Sequence, residues 1–307
     1  MKRVSILVFL LVLIVGGAWY AFVAFSADDD TPDTPLVQIP LTLDDQKAMA
    51  NLACGGHASM NDKNVLSCKL CPQGSDFAGE DSATGGWTNG GVLQGSFTAA
   101  DRDEALMRVS GCESHAKNMG GDYLFRRSGT KWSLVRYASG ATADNTCLKS
   151  AWGDGRDAVI CQNEDMYQGI ESNAVQLMTF DEAAPSHPAN EEAYRNVNFV
   201  VTEDGSSNCG ESMGNPSMLQ FDRVAGASLV PTNTSWPSVR VKVTLARAKP
   251  ERGATECPTT QPQSYSVTWK NLGDHFEAAE GYVGLAARAE EMCCELMVAQ
   301  RVEPYRY

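Results

Sequence analysis

The chain has 307 residues, a formal net charge of −13 and 43% hydrophobic residues, a balance that suits an ordered globular fold rather than a low-complexity chain. Such acidity argues against nucleic acid as a partner, because phosphate binding needs a basic face, and against adhesion to anionic lipid. Beyond the first 25 residues about 280 remain, enough for one large domain or two small ones.

Met1-Lys2-Arg3 precedes Val4 to Phe25, a run of 22 residues without a charge, and Asp28-Asp29-Asp30 follows almost at once. Residues 1–25 are expected to be a single membrane-crossing helix with its basic end inside. The alternative is a cleaved signal peptide, for which Ala24-Phe25-Ser26 offers small residues at the required positions. Either way the remainder is extracytoplasmic: periplasmic, lumenal or extracellular. No lipid-anchoring cysteine follows the run, since the first cysteine is Cys54. With Lys2 and Arg3 on the near side, the outer part carries −15.

Residues 26–41 hold the three aspartates with Pro32, Pro35 and Pro40, an extended linker that would hold an ectodomain of residues 42–307 off the membrane. Leu41 to Ala53 reads as a short helix, capped by Thr42 or Asp44, with Leu43, Met49 and Leu52 as its apolar side. Strand signals follow at Val92 to Thr98, Ala105 to Val109, Tyr123 to Arg127, Trp132 to Tyr137, Ala158 to Cys161 and Val175 to Phe180. Ser128-Gly129-Thr130 makes the third and fourth the best hairpin in the chain. Asn196 to Thr202, Met218 to Phe221, Ser238 to Arg247 and Ser264 to Trp269 continue the pattern. Within them Val239, Val241, Val243 and Leu245 alternate with Arg240, Lys242 and Thr244, as a half-buried strand requires. Val283 to Gln300, rich in Ala, Glu, Met and Leu and free of proline, reads as one terminal helix. The fold class expected is mainly β, propeller-like or stacked antiparallel sheets, with short terminal helices and the N-terminal transmembrane helix.

All ten cysteines lie beyond the apolar run: Cys54, Cys68, Cys71, Cys112, Cys147, Cys161, Cys209, Cys257, Cys293 and Cys294. An even number in an oxidising compartment reads as up to five disulfides, whose connectivity the spacing does not give. Cys54-Gly-Gly-His57 followed by Cys68-Lys-Leu-Cys71 is also ligand-competent spacing for tetrahedral zinc. Cys68 and Cys71 could equally be a redox dithiol, although no βαβ pattern surrounds them. His57, His115, His187 and His275 are scattered and form no paired metal motif. Asn233-Thr234-Ser235 is a glycosylation sequon.

Asp101-Arg-Asp-Glu104-Ala-Leu-Met107 lines up with Asp154-Gly-Arg-Asp157-Ala-Val-Ile160, each an acidic turn running into an apolar strand and soon followed by a cysteine. The two copies are offset by 53 residues, and strand-only repeats of about 40–50 residues suggest propeller blades or stacked sheet units. Together with Gly95-Ser-Phe97, these segments resemble the blade motif of FG-GAP or VCBS repeats over about residues 92–181. That resemblance implies a β-propeller and calcium held in the acidic loop, here by Asp154 and Asp157. The chain departs from the family where acidic or amide residues should precede Asp154-Gly155, because those positions are Trp152 and Ser150.

No nucleophile elbow or phosphate-binding glycine loop is present. The function expected is a membrane-anchored binding or structural protein of the cell envelope or surface, with a protein or glycan ligand. Two alternatives stand beside it. One is a secreted, glycosidase-like hydrolase drawing on loop carboxylates among Asp101, Asp103, Glu104, Asp154, Asp157, Glu164 and Asp165. The other is a thiol oxidoreductase using Cys68 and Cys71.

Overall fold

Sixteen short strands and two helices, grouped into three antiparallel sheets, make up the described part of the chain. The computed structural model describes residues 40–78, 86–114, 119–144, 147–152, 155–167, 170–180, 194–204, 222–231, 238–247, 261–292 and 296–303. The apolar run, the linker through residue 39, the sequon and the strand expected at Met218 to Phe221 lie outside these residues. None of the described helices is long and apolar enough to cross a membrane.

Helix α1 (Leu43–Ala53) is started by Thr42, not Asp44. The Thr42 hydroxyl accepts the Asp45 N–H at 3.1 Å, and the Asp45 carboxylate accepts the Thr42 N–H at 2.9 Å, so two orphan donors are satisfied reciprocally. Only Met49 and Ala50 of α1 are fully buried; Leu43 and Leu52, expected on the apolar side, are exposed.

Sheet 1 is a six-strand meander in chain order: β1 (Ser59–Met60), β2 (Leu66–Cys68), β3 (Trp87–Gly95), β4 (Glu104–Ser110), β5 (Gly120–Ser128) and β6 (Lys131–Ser139). Sheet 2 contains β7 (Leu148–Ala151), β8 (Asp157–Tyr167), β9 (Ile170–Phe180), β10 (Tyr194–Asp204) and β15 (Leu296–Val298), in the order β15-β10-β9-β8-β7. Sheet 3 contains β11 (Asp222–Pro231), β12 (Val239–Arg247), β13 (Gln263–Asn271), β14 (Phe276–Ala278) and β16 (Arg301–Val302), in the order β11-β12-β13-β14-β16. Of the two architectures expected, stacked antiparallel sheets is the one found. No closed propeller forms among the described residues: the sheets share apolar faces as layers instead of radiating around an axis.

Sheet 2 is the middle layer. Ala158 and Ile160 of β8 and Val175 and Leu177 of β9 join Val241, Val243, Val267, Trp269 and Phe276 of sheet 3 in one core. The alternate residues Val159, Cys161, Met178 and Phe180 pack with Leu106, Leu124 and Ala138 of sheet 1 in a second. A strand buried on both faces carries a continuous apolar run rather than alternation, which is why Ala158-Val-Ile-Cys161 shows no period of two. The outer face of sheet 1 builds a third core with Met49 and Ala50 of α1, from Met107, Val109, Tyr123, Phe125 and Trp132.

The C-terminal region differs from the single helix expected over Val283 to Gln300. Helix α2 covers Tyr282–Met292, and the chain then becomes β15, which pairs with β10 (Val200 opposite Val298, Thr202 opposite Leu296). After two further residues β16 pairs with β14. Tertiary context overrides helix propensity here, because an extended Leu296–Val298 completes an otherwise open edge and buries Leu296. The Trp269 indole N–H donates to the Ala299 carbonyl at 2.8 Å, fastening this crossing to sheet 3.

Among the described residues there are three disulfides: Cys54–Cys68, Cys71–Cys112 and Cys147–Cys161. The first two tie the end of α1 and the long β2–β3 connection to sheet 1. The third joins the segment before β7 to β8. Cys209, Cys257, Cys293 and Cys294 lie outside the described residues.

Candidate functional site

The two acidic turns of the internal repeat converge on one backbone segment. Glu104 opens β4 and Asp157 opens β8, and Ser96 to Thr98 passes between them. Glu104 is fully buried; its Oε2 accepts the N–H groups of Phe97 and Thr98 at 2.9 and 2.8 Å, and its Oε1 accepts the Thr98 hydroxyl at 2.7 Å. Arg126 pairs with Oε1 at 2.9 Å. Asp157 accepts the Ser96 N–H at 2.8 Å, lies 3.5 Å from the Lys149 ammonium, and donates its own N–H to the Ser96 carbonyl at 2.7 Å. Gly95 is required here, since a Cβ would stand 2.7 Å from the Asp157 carboxylate and from the Phe97 ring. Asp157 thus ties sheet 2 to the segment after β3, which Glu104 fixes from the sheet 1 side. At Asp157 the Ser96 N–H and the Lys149 ammonium both meet Oδ2, and Asp154, its companion in the calcium reading, lies outside the described residues.

The other sequence candidates are dispersed. Cys54 is bonded to Cys68 and Cys71 to Cys112, so the zinc spacing with exposed His57 supplies no thiolate, and Cys68 and Cys71 are not partners of each other. Both outcomes correct the zinc and dithiol readings for a simple reason: oxidised sulfur is neither ligand nor nucleophile. Asp103 accepts Gln94 Nε2 at 2.7 Å and faces Arg127 Nε at 3.3 Å, while Asp101 is exposed. Among the described residues no group of three or more His, Cys, Asp or Glu side chains is arranged to hold a metal ion.

Glu164 and Asp165 do come together, in a cleft of about 630 Å³ where sheets 1 and 2 diverge. Gly90, Arg108 and Ser110 form its sheet 1 side, Gln162 to Asp165 and Glu171 its sheet 2 side, and Thr142 and Asp144 a third wall. A β-bulge between Asn89 and Gly91 shapes the first side. Gly90 lets the Arg108 side chain lie flat, because a Cβ would meet its Cγ at 3.0 Å. On the second side Asn163 Nδ2 donates to Gln176 Oε1 at 2.7 Å and Asn173 Nδ2 to Glu171 Oε1 at 3.0 Å, fixing the amides and carboxylates in place.

Behind the third wall lies Asp122, paired across β4 and β5 with Arg108 and completely buried. Its Oδ2 accepts the Ala143 N–H at 2.8 Å. The Arg108 guanidinium donates to the Ala141 carbonyl. Burial pushes the Asp122 carboxyl up to about 7, against the pull of Arg108 and the Ala143 N–H, with Asp144 adding a smaller upward push. Tyr123 and Tyr137 beside it are likewise held above the ordinary phenol range, chiefly by burial.

Arg108, Asp122, Asp144 and Glu171 were not among the residues singled out from sequence. The signal was present for two of them: Arg108 interrupts an apolar strand, and Asp122 directly precedes the apolar Tyr123-Leu-Phe run. A charge inside a buried strand calls for a partner.

Comparison with known protein families, with curated proteins and with solved structures finds no match to this chain.

Proposed function

We propose that this chain is an extracytoplasmic binding protein, tethered to a membrane by its N-terminal apolar run, with the cleft between sheets 1 and 2 as its ligand site. The disulfides are consistent with an oxidising, extracytoplasmic setting for the domain. One observation carries the binding reading over the hydrolase. Glu104 and Asp157, the carboxylates most strongly marked in the sequence, are occupied by backbone N–H groups and cations, leaving the cleft to amides and rim acids. Gln162, Asn163 and Thr142 present donors and acceptors suited to a polar ligand, in a volume typical of small-molecule sites.

Asp122 supports a second reading, since a carboxyl near neutrality is what general acid catalysis needs. It is sealed from the cleft by the residues that bury it, which favours binding.

Affinity capture on full-length protein in native envelopes tests the proposal, run beside a Gln162→Ala/Asn163→Ala variant. A partner retained by the wild type and lost by the variant is the expected result. Equal retention by both would place the ligand elsewhere. A hydrolytic activity abolished by Glu164→Gln in a folded protein would replace binding with catalysis. Alkylation and mass spectrometry on the same material should find Cys54, Cys68, Cys71, Cys112, Cys147 and Cys161 blocked; free thiols at these positions would contradict the oxidising compartment.

A further inference from the structure

The segment Gly140 to Asp144 runs as a strap along the edge of sheet 1, and two charged residues from neighbouring strands hold it. Asp122 takes the Ala143 N–H and Arg108 reaches the Ala141 carbonyl. Arg108 and Asp122 stand side by side on the face of sheet 1 that turns toward sheet 2, in the rows continued by Leu106 and Leu124. The far end of the strap is tied to the third disulfide: the Cys147 N–H donates to the Asp144 carbonyl at 3.1 Å, and the Asp144 N–H approaches Cys147 Sγ at 3.3 Å. Thr142 and Asp144 of this strap form the third wall of the cleft.

We infer that Asp122 is a proton-operated latch: ionised, it grips the Ala143 N–H and fixes the cleft wall, and on taking up a proton it loosens that wall. The geometry gives the reason. A carboxylate accepts an N–H about twice as strongly as a neutral acid does. Protonation also turns the second oxygen into a donor, and Asp122 Oδ1 has no hydrogen-bond partner among the described residues. The same proton removes one negative charge from beside Arg108 in the cleft wall. The charged groups acting on Asp122 are Arg108 from β4 and Asp144 from the strap; Tyr137 of β6 lies opposite Tyr123 on the other face of sheet 1, held above the ordinary phenol range chiefly by burial. From sheet 2 the strap meets Met178, whose sulfur receives the Thr142 hydroxyl at 3.9 Å and carries no charge. The inference is independent of what the cleft binds.

The test uses full-length protein in mild detergent, with carbon-13 aspartate labelling and amide hydrogen exchange followed from pH 5.5 to 8.5. Exchange at Ala143 is read relative to Val241 in the sheet 2–sheet 3 core, which removes any change in global stability. The expected result is an Asp122 carboxyl carbon titrating with a midpoint near 7. Over the same interval the relative protection of Ala143 should fall about tenfold on acidification, the loss of one charge-assisted hydrogen bond. In Asp122→Asn that fall should vanish. An Asp122 midpoint near 4, an unchanged Ala143 ratio in the wild type, or an equal fall in the variant would each overturn the inference. Should the variant fail to fold, the paired titration of Asp122 and Ala143 in the wild type decides it alone.

Discussion

The two ends of the sheet stack are built on different principles. Between sheets 2 and 3 the core is aliphatic and aromatic: Phe199 meets Trp269 and Phe276 edge-on at 5.4 and 5.3 Å, and Trp152 covers Phe276. Sheet 1 buries Glu104, Glu113, Asp122 and the hydroxyl ends of Tyr123 and Tyr137 among its apolar residues, and its surroundings hold all three described disulfides. An apolar layer stabilises through area removed from water and is indifferent to pH. A layer with buried acids gains precise positioning, and its stability then depends on proton and redox conditions. The cleft opens on the second kind of layer, where small changes of charge can move a wall.

Substitutions sharpen this contrast. The largest loss is expected from Trp269→Ala, about 3–5 kcal/mol by chemical denaturation, equal at pH 5 and pH 8 because the buried side chains clustered with it are apolar. Glu104→Ala should cost nearly as much, about 3–5 kcal/mol, because it takes the buried charge from beside Arg126 and the acceptor from three donors; Glu104→Gln should recover part of it. Equal losses for these two Glu104 variants would show that the clamp acts through its charge and not through the volume it fills. Removing Cys71–Cys112 with paired alanines should cost about 3–4 kcal/mol, since it closes a loop of 41 residues.

The pH dependence comes next. Asp122 has a folded value raised from 3.8 to about 7, so its contribution is fully present below pH 4 and is lost as pH rises through 7. Wild type should lose up to about 4 kcal/mol across that window, and Asp122→Asn should flatten the profile. The charge that tightens the strap therefore weakens the whole fold. Smallest is Thr42→Ala, about 1 kcal/mol from the lost cap, read as a lowered Tm.

How much of this was legible from sequence depended on whether a segment's partners were local. The β5–β6 hairpin was readable because Gly129 supplies the positive φ its turn needs. Strand β12 was readable because Val239, Val241, Val243 and Leu245 keep a period of two over one buried face. The β8 and β9 runs were found as strands, but nothing local says that both of their faces are covered. Leu296 to Val298 was misread because its helix-forming neighbours outvote the edge of β10, which lies far away in the chain. The acidic repeat was visible, yet its purpose was not: Glu104 and Asp157 serve the backbone of Ser96 to Thr98, a segment that reads from sequence as the end of a strand and carries no sign of the carboxylates it binds. The latch was missed for a related reason, because Asp122 acquires meaning only when Arg108 and Ala143 are placed beside it.

The crossing from β15 to β16 bears on the order of assembly. Sheet 1 pairs neighbours in sequence, so each of its strands can add as the chain emerges. Sheets 2 and 3 instead wait for residues 296–302, which supply an outer strand to each and carry Ala299 to the Trp269 indole. Contacts of such long sequence separation form slowly. The open edges of β10 and β14 therefore stay exposed until the strands that cover them arrive, and that interval is when the domain is most prone to pair with the wrong strand.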